Sequence, residues 1–182
     1  MKDFVPTGKK ISEEELWYNY KYFLSAVMPY AEKYEIKLAL HPDDPPIPKL
    51  GNVSRIMISA ENIRKAVRDV YKSDMLGVTM CQANFYIMGE NVDKVITDFK
   101  DKIFFIHFRN TVGSLHSFRE TYHDNGALDM AHLMKLYKSL KIDVPIRVDH
   151  VPTLKGERTD VAGYAALGRY FAIGYLKGLM EG

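Results

Sequence analysis

The chain has one cysteine, Cys81, so no internal disulfide can form and no disulfide scaffold is present. It lacks any apolar run near the roughly 20 residues that span a bilayer, and its first ten residues have no apolar stretch of the kind that directs secretion. Residence in the cytoplasm, with no membrane partner, is therefore expected. One-sided charge is also missing: the net charge is +2, and Lys and Arg are scattered. Nucleic-acid binding calls for a basic face or stripe, so no nucleic-acid partner is expected. Repeats, low-complexity tracts and linkers are absent, and the 182 residues read as a single domain, 1–182. What the chain does have is 47% hydrophobic and 26% charged residues, the balance of a folded soluble protein able to bury a core.

Four apolar, strand-like runs each end at a side chain able to bind a metal. Ile36–Leu40 leads to His41, Leu76–Met80 to Cys81, Ile103–Ile106 to His107, and Val144–Val148 to the pair Asp149–His150. Successive candidates lie 40, 26 and 42 residues apart, room each time for a helix and a return strand. Helical patterns fill those intervals. Ser12 and Glu15 form a capping box ahead of a stripe from Leu16 to Ala31, which predicts a helix to about Lys33 with a kink possible at Pro29. Ser59 caps a second helix (Ile63, Ala66, Val67, Val70), and Val92, Val95, Ile96 and Phe99 mark a third. Asp129 caps a fourth helix, and Tyr164, Leu167, Phe171, Tyr175 and Leu179 form the stripe of a closing one. The stretch His41–Pro48 is too rich in proline for regular structure, and Phe108 to about Leu128 reads as one long polar loop. The order αβαβαβαβα predicts an α/β fold with a parallel sheet of TIM-barrel type. In such a barrel all four strand ends share one rim, where the chemistry sits.

His41, Cys81, His107 and Asp149 together offer two imidazoles, a thiolate and a carboxylate, a donor mix suited to Mn, Fe, Co, Ni or Zn rather than Ca or Mg. Each alone has an ordinary alternative: a buried cysteine as a small hydrophobe, a strand-end histidine as a solvent-facing side chain. Four metal-capable side chains at four successive strand ends are what point to a metal centre. His150, next to Asp149, points elsewhere along an extended chain and becomes a candidate general acid or base. Arg109 could hold a substrate carboxylate with both arms, or only make a surface ion pair. His116 and His123, in the long loop, are within reach of the rim. His132 reads as a solvated or packing residue, Asp43 and Asp44 as caps of the proline-rich turn, and Tyr86, Tyr122 and Tyr164 as core or rim residues.

Several segments resemble the mannonate dehydratase family, metal-dependent sugar-acid dehydratases with a xylose-isomerase-like barrel. They are Ile11–Trp17, Leu38–Pro46 with its His-Pro-Asp-Asp-Pro-Pro block, Gly77–Gln82, His107–Asn110, Phe118–His123, Leu128–Met130, Arg147–His150 and Gly163–Tyr164. The resemblance runs through nearly the whole chain in the same order. It implies dehydration of D-mannonate, a small sugar-acid substrate of glucuronate catabolism, to 2-keto-3-deoxy-D-gluconate and water. It implies a divalent ion, Mn2+ first with Fe2+, Co2+, Ni2+ or Zn2+ as alternatives, held by His41, Cys81, His107 and Asp149. His150 and Tyr164 match the family's acid/base positions, and Arg109 and His123 match positions near the substrate.

The part resembled is the C-terminal half of a family whose members are about twice this length, and an eight-stranded barrel takes about 250 residues. About half a barrel, four βα units, is therefore expected, with two bare strand edges open to association. The expected remedy is a homodimer or pairing with an N-terminal half, the chain being a truncated product, one part of a split enzyme or a self-associating half barrel. Two alternatives to the dehydratase are a half barrel that binds metal or a sugar acid without turnover, and a sugar isomerase or epimerase.

Overall fold

In the computed structural model, which describes residues 8, 10–157 and 162–182, the chain starts on the helix that its capping box predicts. Helix α1 (Glu13–Lys33) opens where the Ser12 hydroxyl accepts the Glu15 N–H at 3.1 Å, with three glutamates at the positive end of the helix dipole. Pro29 lies inside α1 and does not end it. Strand β1 (Leu38–Leu40) follows, then a small hairpin of β2 (Lys49–Leu50) and β3 (Val53–Ser54). Helix α2 (Ala60–Arg68) is capped by Ser59 through the Asn62 N–H. Strand β4 (Leu76–Cys81) runs straight into the short α3 (Gln82–Ile87), and α4 (Val92–Phe99) is capped by Asn91. Strand β5 (Ile103–Phe108) is followed by a second hairpin, β6 (Thr111–Ser114) and β7 (Ser117–Glu120). Asp129 caps α5 (Met130–Ser139), and β8 (Ile146–Val148) and α6 (Ala166–Glu181) complete the chain. Among the described residues, no helix is long and apolar enough to cross a membrane.

The main sheet has the order β1-β4-β5-β8, every pairing is parallel, and helices make the crossovers. Sequential parallel neighbours joined by helices are the pattern of a (β/α) barrel, and four strands make a partial one. Behind the sheet, Ile63, Val67, Ile96, Phe99, Ile106, Phe108, Leu133 and Tyr137 pack into one core. Along β5, Ile106 and Phe108 are fully buried in that core while His107 between them is half-buried, the alternation a strand requires.

One irregularity sets which residues share the rim. Val78 pairs with Ile103, but Thr79 pairs with Phe105, so Phe104 is an extra residue in β5. Downstream of this bulge Cys81 stands opposite His107, and His107 opposite Arg147. Because a one-residue shift moves every side chain to the other face, the bulge puts the thiol and the imidazole on the same face. Gly77 makes room for it. A Cβ there would lie 2.3 Å from the Lys102 carbonyl oxygen and 2.6 Å from the Phe104 ring.

Several expectations need correction. Strand β1 begins at Leu38 rather than Ile36, which is 55% exposed. Strand β8 starts at Ile146, because Pro145 has no N–H for the ladder, although its carbonyl still accepts from Ile106. The stretch 108–128 is not one loop: it contains the β6–β7 hairpin, and Asn110 closes it. The Asn110 amide donates to the carbonyls of His123 and Leu128, and its oxygen accepts from the N–H groups of Thr111 and Leu128, all at 3.0 Å. Helix α6 packs on Gly168, Ala172 and Leu176, with Tyr175 and Leu179 of the predicted stripe partly buried against the core and Leu167 and Phe171 outward. At Gly168 a Cβ would come within 2.6 Å of the Pro152 carbonyl oxygen, so small residues take the contact face.

Replacing Gly77 by Ala tests the bulge. Overpacking at a site that cannot yield costs about 1–3 kcal/mol, and denaturant unfolding of Gly77→Ala should show a loss of that order. A variant as stable as the parent would mean that the β4–β5 step is not tight.

Candidate metal centre and acid–base pair

The proline-rich segment after β1 is held in place by Asp43. Its carboxylate accepts from the Ile56 and Met57 N–H groups and from Arg55 Nε at 2.7 Å. This fixes His41, whose Nδ1–H donates to the Pro42 carbonyl at 2.6 Å and leaves Nε2 with a bare lone pair. That Nε2 lies 3.0 Å from Nδ1 of His107 at the end of β5. Cys81, at the end of β4, completes a group of three whose donor atoms all lie within 4.8 Å of one another. Asp149, just past β8 and 3% exposed, has a carboxylate oxygen 3.5 Å from the same His107 nitrogen. Such a cluster fits an ion with bonds of about 2.0–2.3 Å to nitrogen and sulfur. The electrostatics fit too. Burial lowers the pKa of His41, and it lowers that of His107 to about 4 against the opposing pull of Asp149, so both rings are neutral at working pH and free to act as ligands. Burial pushes the Cys81 thiol up to about 12, with Arg109 pulling the other way.

Beside this group a cavity of about 510 Å3 is lined by His41, Asp44, His107, Arg109, Phe118, Glu120, Asp149, His150 and Tyr164. His150 Nε2 lies 3.0 Å from the Tyr164 hydroxyl, and the two rings meet edge to face. The loop after β8 makes that pairing: the Val151 N–H donates to the Gly163 carbonyl at 2.9 Å, bringing Tyr164 back over His150. The guanidinium groups of Arg147 and Arg169 lie 5.7 and 5.1 Å from the centre of the Tyr164 ring.

Six of the eight site residues selected from sequence therefore line one cavity, and Cys81 lies directly beneath it. The eighth, His123, stands behind the wall: it is fully buried, and its Nε2 faces the Phe108 carbonyl oxygen. Arg109 lines the cavity, yet its donors are engaged by the chain itself. It is 1% exposed and makes a two-armed pair with Glu120, a 2.6 Å bond to Asp44 and a 2.9 Å bond to Asn84. Burial works against its charge, while Glu120, Cys81 and Asp44 raise its pKa, so it stays a cation. His116 is exposed at the tip of the β6–β7 hairpin, and His132 is exposed and paired with Asp93 at 2.5 Å.

Glu120 and Asp44 are site residues that the sequence reading missed. The signal for Asp44 was its neighbour His41 in the proline-rich block. Glu120 had no comparable signal, because the turn Leu115–His116 lacks the Asn-Gly or Asp-Gly chemistry that announces a hairpin.

Parallel βα units with a metal-capable cluster and an imidazole–phenol pair at their C-terminal rim define part of a xylose-isomerase-like barrel. The chain belongs to the D-mannonate dehydratase (UxuA) family, whose sequence model matches residues 1–182. It is similar to a mannonate dehydratase of Brachyspira hyodysenteriae, 37% identical over 185 residues that take in 100% of this chain and 51% of that protein. A crystal structure of mannonate dehydratase from Streptococcus suis serotype 2 superposes with a TM-score of 0.85 at 32% identity, covering 95% of this chain and 50% of that one. A D-tagatose 3-epimerase-like protein shares the fold, with a TM-score of 0.69 at 18% identity over 94% of this chain and 59% of its own. The chain spans about half the length of the curated relatives it matches.

The protonation states give a direct test of the ligand set. With Cys81 held as a thiol and both histidines neutral, uptake of Zn2+ at pH 7.5 should release about one proton per ion. Calorimetry in buffers of different ionisation enthalpy reads that number. Cys81→Ser should bind more weakly and release close to none; an unchanged proton count would remove Cys81 from the set.

Proposed function

We propose that this chain carries the reacting rim of a metal-dependent hydro-lyase that converts D-mannonate to 2-keto-3-deoxy-D-gluconate and water. The observation that carries the reading is the placement of the His150–Tyr164 pair on the same cavity as His41, His107 and Asp149, with Cys81 beneath. Family membership over the full chain supports it.

His41, Cys81, His107 and Asp149 would hold the ion, with Mn2+ proposed first. A divalent ion there supplies Lewis acidity to the substrate carboxylate, offsetting the charge that builds as the C2 proton leaves. The chain's own groups handle the protons. His150 Nε2 takes the hydroxyl proton of Tyr164 across their 3.0 Å contact. The Tyr164 oxygen then removes the C2 proton, and the C2–H electrons become the C2–C3 double bond. The C3 hydroxyl leaves as water with the proton held by His150. The resulting enol tautomerises to the 2-keto product, and both side chains return to their starting state.

The partner reading follows from the edges of the sheet. Among the described residues, β1 and β8 each pair on one side only. Beside β1, Tyr20, Phe23, Leu24, Leu38, Ala39, Leu40 and Leu76 line a mainly apolar groove together with Lys37 and His41, and α6 presents Leu167, Tyr170, Phe171 and Ile173 outward. Unpaired parallel edges are association sites. The single domain proposed for 1–182 would be completed by a second copy, or by a chain supplying the length that the relatives have in addition.

Purified protein with Mn2+ and D-mannonate should yield a 2-keto-3-deoxy acid detectable with thiobarbiturate, and Tyr164→Phe should lower kcat by about 10²–10⁴-fold. If no product forms even when the complementary half of a relative is added, the dehydratase reading fails. Product analysis by NMR in D2O separates dehydration from isomerisation. In sedimentation, association in the concentration range of the assay is expected; a monodisperse monomer that turns over substrate would remove the need for a partner.

A further inference from the structure

Glu120 reaches the rim at the end of β7 and faces two groups. One carboxylate oxygen accepts from Arg109 Nη2 and lies 3.3 Å from His150 Nδ1, and the other accepts from Arg109 Nε at 3.0 Å. Across the imidazole, Nε2 faces the Tyr164 hydroxyl at 3.0 Å and stands 3.9 Å from an Asp149 oxygen. An ionised carboxylate only accepts hydrogen bonds. The Glu120 side chain is 23% exposed; burial pushes its pKa up, but the hydrogen bonds from His150 and Arg109 outweigh this and bring it below the ordinary value. The nitrogen facing it must therefore carry the proton, and a neutral ring then has Nε2 bare.

We infer that Glu120 is a positioning residue that holds His150 in the Nδ1–H tautomer, with its bare Nε2 aimed at the Tyr164 hydroxyl. The geometry forms a line of acceptor, imidazole and reacting hydroxyl, the logic by which a buried carboxylate fixes tautomer and orientation in hydrolytic triads. Arg109 keeps the carboxylate from rotating away, because a two-armed guanidinium pair has one preferred plane. Glu120 thus ties the orientation of the acid–base pair to the buried cation under the rim. This rests on the roles proposed above for His150 and Tyr164, while the placement of the proton on the ring can be read without turnover.

The test is long-range 1H–15N correlation on the full chain with 15N-labelled histidine, loaded with diamagnetic Zn2+, His150 being assigned from a His150→Asn sample. The wild-type ring is expected to be protonated on Nδ1. Glu120→Ala should move the proton to Nε2, the position favoured by an unconstrained histidine side chain, and lower kcat for D-mannonate by about 10–100-fold with little change in KM. Glu120→Gln keeps an acceptor oxygen and the side-chain volume, and should retain the tautomer and recover most of kcat. Removing Glu120 leaves the buried Arg109 charge with Asp44 as its remaining carboxylate partner; should Glu120→Ala fail to fold, Arg109→Met/Glu120→Ala removes both charges of the two-armed pair and the tautomer is read there. A wild-type ring protonated on Nε2, or a Glu120-free ring that keeps the wild-type tautomer, overturns the inference. If the chain makes no product, the spectrum still decides the role of Glu120. Turnover that is unaffected by Glu120→Ala overturns this role and leaves the dehydratase reading intact.

Discussion

A buried guanidinium organises the rim. Arg109 is 1% exposed, and a cation taken out of water costs several kcal/mol unless paired and hydrogen-bonded. Its partners come from four separate parts of the chain: Glu120 on the second hairpin, Asp44 in the proline-rich segment, Asn84 on α3 and the sulfur of Cys81, 3.8 Å away at the end of β4. Strand β4 and helix α3 are buried in the apolar core, but the other two segments are not. The proline-rich segment and the hairpin are short and half-exposed, so their carboxylates and the guanidinium fix each other. The site is therefore positioned by charge pairing at the rim and by apolar packing only behind the sheet. An anion entering the cavity would meet an arginine already paired with two acids.

The backbone makes a second contribution through register. Strand order alone brings four C-terminal ends to one side, but it does not decide which face each side chain takes. The extra residue at Phe104 does that for Cys81 and His107, and Gly77 admits the Phe104 ring against the neighbouring strand. The chain tolerates a glycine inside a central strand, a choice that weakens strands in general, because the gain is a shared face for two metal-capable side chains. Function and local strand stability pull in opposite directions at this position, and the fully buried surroundings of β4 absorb the difference.

How far the sequence revealed this follows from the range of each signal. Helix caps are local, and Ser12, Ser59 and Asp129 accept from the third residue onward as their positions predict. The four strands were legible because each is a short apolar run between helical patterns, and the parallel order followed from the alternation. The hairpin was not legible, since Leu115–His116 is an unremarkable dipeptide and the pairing of Thr111–Ser114 with Ser117–Glu120 is stabilised by Asn110, whose four hydrogen bonds reach as far as Leu128. Helix α6 misled for a different reason. Periodicity favours the large residues Leu167 and Phe171, whereas close approach to Pro152 selects Gly168, so the bulky face turns outward. Arg109 was singled out by its spacing from His107, but its partners lie 65 residues before it and 11 after, a distance over which sequence alone carries no pairing information.

What this chain supplies differs from what a completed barrel would add. Every donor in the metal-capable cluster and both members of the acid–base pair come from the ends of four consecutive strands and the loops after them, held by contacts within the chain. Their mutual geometry needs no further strands. Water exclusion does. His150 and Tyr164 lie toward solvent, Tyr164 being 37% exposed, so the 3.0 Å contact between them is open to competition from bulk water. Among the described residues, β1 and β8 are the two edge strands of the sheet.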